Sequence, residues 1–197
     1  MSSIPPGLTP QAFVDKWRHT ELKERAACQE HFLDLCHLIG HPTPAEDDPT
    51  GEHFAFEYGI AKQDGGQGFA DVFKRGYFGW EYKGKHANLD KAYGQLLQYR
   101  SDLQNPPLLI VCDLDRIIVH TNFTNTIHKA HTITLDDLRT PDGLRQLRAI
   151  FTEPNFFKAA QTTEQVTREA AQEFAHLAEL LRAYGTPPQD AAHFLIR

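Results

Sequence analysis

Cysteine is scarce in this sequence, with three residues in 197 and no paired spacing, which excludes a disulfide framework and suits a reducing compartment. No apolar run approaches the ~18 residues of a membrane span. The amino terminus, MSSIPPGLTP, lacks the basic flank and apolar centre of a signal peptide. These absences lead us to expect a cytoplasmic chain with no membrane partner. Cations are in the minority, 20 Lys and Arg against 26 Asp and Glu for a net charge of -6, which excludes coating of nucleic acid through bulk charge but not a local basic patch. A Gly-rich phosphate loop, a Ser/His/Asp order and a methyltransferase motif are all missing, so S-adenosylmethionine has no evident site. What is present, 41% hydrophobic and 23% charged residues, fits one globular domain plus an appendage. Roughly 70% of the unfolded surface can be buried at this length without staples.

Along the chain, Thr9-Pro10 reads as an N-cap and first helical position, and Thr20 leads into a long amphipathic helix stopped by Gly40 and Pro42. Its apolar stripe is Cys28, Phe32, Leu35 and Ile39, with Glu24 one turn earlier on the same face. A Pro-rich acidic loop (42–52) precedes a short strand at Phe54 to Tyr58 and a glycine-rich connection at Asp64 to Gly68. Phe69–Phe73 and Tyr77–Lys83 flank a Lys74-Arg75-Gly76 turn and read as a β-hairpin. Asn88 caps a helix to about Asp102, and Pro107–Cys112 and Arg116–Asn122 are strands. From Thr140 the pattern is helical only, with Pro141 opening one helix, a Thr162/Gln165 capping box another and Asp190 a third. The expectation is an α/β fold over residues 1–139, a mixed sheet flanked by helices, followed by the start of an all-helical connector over 140–197.

The hairpin carries the chemistry. Asp71 and Glu81 lie five residues either side of Gly76, so they face one another across the strands with Cβ atoms ~5 Å apart. Lys83, two residues on, points the same way as Glu81, while Trp80 and Tyr82 take the other face. Two carboxylates and an ammonium on one patch suit metal-assisted phosphodiester hydrolysis: hard oxygen ligands for Mg²⁺ or Mn²⁺, and a cation for the charge that builds on phosphorus. Acid-x-Lys alone is weak, since Glu21-Leu22-Lys23 repeats it. The next helix adds Gln95 and Tyr99, four apart and therefore on one face.

The set Glu24, Asp71, Glu81-x-Lys83 and Gln95-x-x-x-Tyr99 resembles the PD-(D/E)xK nuclease superfamily, in particular members with a RecB-type Gln-xxx-Tyr motif. The runs ERAACQEHFLDLCHLIG, FADVFKRGYFGWEYKGKHANLDKAYGQLLQYR, PLLIVCDLDRIIVHTNF and VTREAAQEFAHLAELLRAYG look like the amino-terminal part of MmeI-like type IIL/IIG restriction-modification enzymes. That resemblance implies metal ligation by Asp71 and Glu81, with Glu24 and Tyr82 as further candidates, a catalytic Lys83, and Gln95 and Tyr99 orienting the site or the DNA backbone. It also implies double-stranded DNA as substrate, a role in phage defence in a bacterial cytoplasm, and downstream methyltransferase and target-recognition domains that use S-adenosylmethionine. Ala70 stands where the superfamily name has Pro, a residue without a chemical role. Residues 74–100 carry a net +4 against -10 elsewhere, and Lys74, Arg75, Lys85, Lys91 and Arg100 are candidate phosphate contacts around the site.

Other readings stay open. The hairpin charges can be a solvated ion cluster, Glu21 or Glu30 can replace Glu24, and Gln95 and Tyr99 can belong to an ordinary amphipathic helix. A catalytically silent DNA-binding or interaction scaffold and a stand-alone RecB-like nuclease are the competing functions. A zinc set of Cys28, Cys36, His37 and His41 is disfavoured because both cysteines lie on the apolar stripe, and Asp113 and Asp115 are expected to shape a turn.

Overall fold

The structure is a computed structural model that describes residues 8–21, 24–61, 67–85, 87–160, 162–187 and 189, with no side-chain description at 24–26, 60–61, 67–69 and 163. The glycine-rich connection falls largely outside these residues, as does the helix expected from Asp190. The chain divides into two compact units, residues 1–123 with 128–158, and residues 124–127 with 159–197.

The first unit is built on a six-stranded sheet in sequential order: β1 (Phe54–Ala61), β2 (Gln67–Lys74), β3 (Phe78–Tyr82), β4 (Leu108–Cys112), β5 (Arg116–Thr121) and β6 (Ala130–Thr134). Neighbours are antiparallel except for β3 and β4, which run parallel and are joined through α4 (Leu89–Tyr99). A parallel pair needs such a crossover, and Asn88 starts the helix by accepting the amides of Asp90 and Lys91 on its side-chain oxygen.

Helices cover both faces. On one lie α1 (Pro10–Arg18), α2 (Glu24–Ile39) and α5 (Pro141–Thr152), which bury Phe13, Val14, Trp17, Phe32, Leu35 and Phe151 against Phe78, Trp80, Ile110 and Val119. On the other, α4 packs Leu89, Ala92, Leu96 and Tyr99 onto Ala70, Phe73, Leu109 and Val111. Thr9 caps α1 as its sequence predicts, and Gly40 ends α2 at φ 67°, a left-handed turn that costs glycine nothing. The Cys36 thiol lies in the core, where burial pushes it up to about 12. In the second unit α6 (Thr163–Ala183) begins with the expected Thr162/Gln165 capping box.

Two elements depart from the sequence reading. The strand β6 has no counterpart there: only its Ile133 is fully buried, so alternation leaves no trace in the residue pattern. The helix α5, which the expected boundary at 139/140 places in the connector, belongs to the sheet unit. Its Phe151 ring lies 5.5 Å from Phe32 and 5.4 Å from Phe78, and the division between units comes after Lys158.

A Cβ on Gly143 would lie 2.1 Å from the Asp137 carbonyl oxygen, where backbone cannot yield cheaply. Gly143→Ala should therefore destabilise the sheet unit by about 1–3 kcal/mol and lower its thermal midpoint by roughly 3–10 °C; a midpoint equal to wild type would detach α5 from this core. Burial holds the His31 imidazole down to about 3, helped by Lys16 and Lys85, and that of His120 down to about 4, helped by His128. Unfolded, both titrate near 6.5, so between these values the unfolded chain binds more protons. Their contribution to stability is complete above about pH 6.5 and is lost as pH falls toward 3–4. Urea midpoints should decline between pH 7 and pH 4.5, and His31→Gln should flatten that decline.

Candidate functional site

The charged patch forms where β2 and β3 diverge. The ladder between them pairs Lys74 with Phe78, Phe73 with Gly79 and Val72 with Trp80, and continuing that register sets Asp71 opposite Glu81. Gly76, at φ 76°, makes the turn that fixes this register. Beyond Val72 the strand-to-strand bonding changes hands. The Tyr82 amide donates to Asp71 Oδ2 at 2.6 Å, so the carboxylate fills the gap between the strands.

The cause is a local reversal of faces. Across β1 and β2 the ladder skips one pair, Glu57 opposite Asp71, and Glu57 adopts φ 49°. Phe56 and Val72 pack against the core under α2, whereas Tyr58 and Ala70, two residues along their strands, pack against the core under α4. Both strands thus turn over at this pair, and the twist swings Asp71 toward the Tyr82 amide. A non-glycine residue held at positive φ is sparsely populated backbone, and here it adjoins the candidate acid.

On β3 the alternation holds through all five residues. Phe78, Trp80 and Tyr82 enter the core beneath α1 and α2, and Glu81 and Lys83 take the α4 face. Glu81 is 4% exposed, a burial that an ionised carboxylate tolerates only when compensated. Lys83 Nζ lies 2.6 Å from Glu81 Oε1, and the Lys83 amide donates to the Cys112 carbonyl at 2.8 Å, which anchors the residue to β4.

Other expected site residues are distributed differently. Tyr82 does not present its side chain to the carboxylates: its hydroxyl is 2.9 Å from His31 Nδ1 on the opposite face, and only its amide reaches Asp71. Glu24 opens α2, but its side chain lies outside the described residues. Glu30 is exposed and bound to Lys16 at 2.6 Å. Tyr99 is packed into the core under α4, and Gln95, one turn nearer the helix start, is half-buried.

The basic residues do not ring the acids as their sequence proximity suggests. Lys74 is drawn inward, with Nζ 2.8 Å from His41 Nε2, 3.5 Å from Asp47, and lying over the Phe54 and Tyr77 rings at 4.9 and 4.8 Å. Burial lowers its pKa. Lys85 donates to the Trp17 and Arg18 carbonyls at 3.1 Å, satisfying the open end of α1, and pairs with Asp115 at 3.3 Å. Arg75 and Arg100 are exposed but lie at the hairpin turn and at the end of α4, the opposite end of β3 from Glu81. Lys91, in the first turn of α4, is exposed at the end where the acids lie.

Asp113 shapes its turn as expected, accepting the Arg116 amide at 3.1 Å. Sequence reasoning misses its second neighbour. Tyr82 pairs with Cys112 and Cys112 with Ile117, so the next positions, Lys83, Asp113 and Arg116, fall side by side on three adjacent strands. A signal exists in Leu109, Val111 and Asp113, alternate residues of one strand, but it becomes readable only once β4 is known to lie parallel to β3.

Asp71 and Glu81 supply hard oxygen donors from facing strands. Among the described residues no group of three or more His, Cys, Asp or Glu is placed to hold a metal ion. Two carboxylates still fit Mg²⁺, which retains several waters and is commonly bound through one or two protein carboxylates plus substrate oxygens.

A family model described as the MmeI N-terminal domain matches residues 8–184. No curated protein matches the chain. Among solved structures, a cryo-electron-microscopy structure of a DrdV–DNA complex aligns with 88% of this chain at 19% identity and a TM-score of 0.44, and this chain spans 16% of that one. With the family match running from ahead of α1 to the residue after α6, the chain belongs to the MmeI N-terminal domain family.

Proposed function

We propose that the chain is the nuclease module of a restriction enzyme, of PD-(D/E)xK type, hydrolysing phosphodiester bonds of double-stranded DNA with Mg²⁺. The observation that carries this reading is that the Asp71 carboxylate accepts the amide of Tyr82, the residue between Glu81 and Lys83, at 2.6 Å, with Lys83 Nζ 2.6 Å from Glu81. Membership of the MmeI N-terminal domain family supports it.

In this reading Asp71 and Glu81 would hold the metal, which when bound would supply Lewis-acid polarisation of the phosphate and make a water more acidic. Hydrolysis adds water oxygen to phosphorus and breaks the bond to the leaving sugar oxygen, which takes up a proton. The Lys83 ammonium faces the negative charge that grows on the phosphoryl oxygens, and its anchored amide fixes where that charge is met. The Tyr82 amide holds the Asp71 carboxylate in place, and the His31–Tyr82 contact fixes the strand from behind. Gln95, half-buried in the middle of α4, orients the site or the DNA backbone. Base recognition, and methyl transfer with S-adenosylmethionine, belong in this reading to other domains of a longer polypeptide.

Titration calorimetry with Mg²⁺ or Mn²⁺ should show weak binding that Asp71→Ala and Glu81→Ala each abolish while circular dichroism stays unchanged. Equal binding by wild type and both variants would sink the site. With protein in excess over supercoiled plasmid and Mn²⁺ present, Lys83→Ala should slow nicking by about 10²-fold or more. Nicking at the wild-type rate removes Lys83 from the chemistry.

A further inference from the structure

The row on the α4 face continues past Lys83. Register places Asp113 beside it at the end of β4, and Arg116 beside Asp113 at the start of β5. The Asp113 side chain is 3% exposed, yet it spends both oxygens on one residue: Oδ1 accepts the Arg116 amide at 3.1 Å and Oδ2 accepts Arg116 Nε at 3.0 Å. The Arg116 side chain is 45% exposed, and its two terminal nitrogens make no hydrogen bond among the described residues. A buried carboxylate thus holds an outward guanidinium by one edge. The neighbouring charges are accounted for, since Asp115 pairs with Lys85 at 3.3 Å and Lys83 with Glu81 at 2.6 Å.

We propose that Arg116 is a DNA-backbone contact, a preorganised guanidinium that receives a phosphate flanking the scissile one. The inference rests on the nuclease reading and adds a binding position to it. Two strand spacings, about 10 Å, separate β5 from β3, so a phosphate that Arg116 receives is a neighbour of the scissile one and not the scissile phosphate itself. Arginine suits the position because its planar fork can give one edge to a protein carboxylate and keep other N–H donors for a phosphate, a division that a lysine ammonium cannot reproduce with fixed geometry. Holding the guanidinium before DNA arrives reduces the side-chain freedom lost on binding. Of the cations that sequence proximity favours, Lys85 is committed to Asp115 and the end of α1, Lys74 lies at the hairpin end on His41 and Asp47, and Lys91 stands exposed in the first turn of α4.

The test is fluorescence anisotropy of a labelled duplex titrated with the full chain at several salt concentrations, in Ca²⁺ so that cleavage does not intervene. Arg116→Ala should weaken binding several-fold regardless of sequence and reduce the salt slope by about 1. Arg116→Lys, which keeps the charge, should restore the slope but only part of the affinity. Asp113→Asn, which keeps the guanidinium but loosens its hold, should retain the slope and lose affinity. Thermal melting reports whether each variant folds; if Arg116→Ala does not, Arg116→Lys and Asp113→Asn decide. Wild-type affinity and slope in Arg116→Ala, or weaker binding at unchanged slope, would overturn the proposal while leaving the nuclease reading intact. A wild-type chain that binds no duplex at any salt concentration overturns both.

Discussion

The charged end of the sheet depends on the strict alternation of β3. Phe78, Trp80 and Tyr82 are fully buried beneath α1 and α2, and the aromatic packing there, with Trp80 at 5.3 Å from Phe32 and Tyr82 bound to His31, leaves the strand no freedom to rotate. Glu81 and Lys83 are consequently forced to the other face, whatever the electrostatic cost of a carboxylate 4% exposed. A slip of one residue would put Glu81 among the aromatics and bring Trp80 beneath α4. The core therefore sets the position of the chemistry, and the acid is tolerated because Lys83 is carried on the same strand.

Charge in the fold follows a different rule from charge in the sequence. A lysine goes where unsatisfied acceptors and accessible rings are, and for Lys74 and Lys85 those partners are residues far away in the chain. Lys85 closes the last turn of α1, and Lys74 ties β2 to His41 and to the acidic helix α3 (Pro44–Asp47). Such contacts cannot be read from a local count of net charge. The same rule explains Asp113, which is buried and holds an arginine three residues on.

Much of the fold is legible in the sequence because it is written in short-range patterns. The Lys74-Arg75-Gly76 turn predicts the β2–β3 register and with it the Asp71–Glu81 pair, and the caps at Thr9, Asn88 and Thr162 mark helix starts. What stays hidden needs the third dimension. Phe151 looks like any apolar residue of a helical tail until it meets Phe32 and Phe78. The reversal at Glu57 and Asp71 leaves no mark in composition, since Glu57 is an ordinary polar residue in a strand. Tyr82 is a candidate ligand through the family resemblance, and its ring lies on the far side of the sheet while its amide reaches Asp71.

The strand order also shapes how the site comes into being. Strands β1 to β3 form one antiparallel meander and β4 to β6 another, and the parallel β3–β4 pair joins them across the intervening α4. Local meanders close early in folding, while a parallel pairing waits for loop closure over a longer stretch. On a growing chain Asp71 and Glu81 can meet as soon as the first meander has left the ribosome, but Lys83 is not fixed until its amide finds the Cys112 carbonyl, and Arg116 arrives later still. Asp71, Glu81 and Lys83 thus come with the first half and Asp113 with Arg116 with the second, and the complete charged row forms only when the two halves dock.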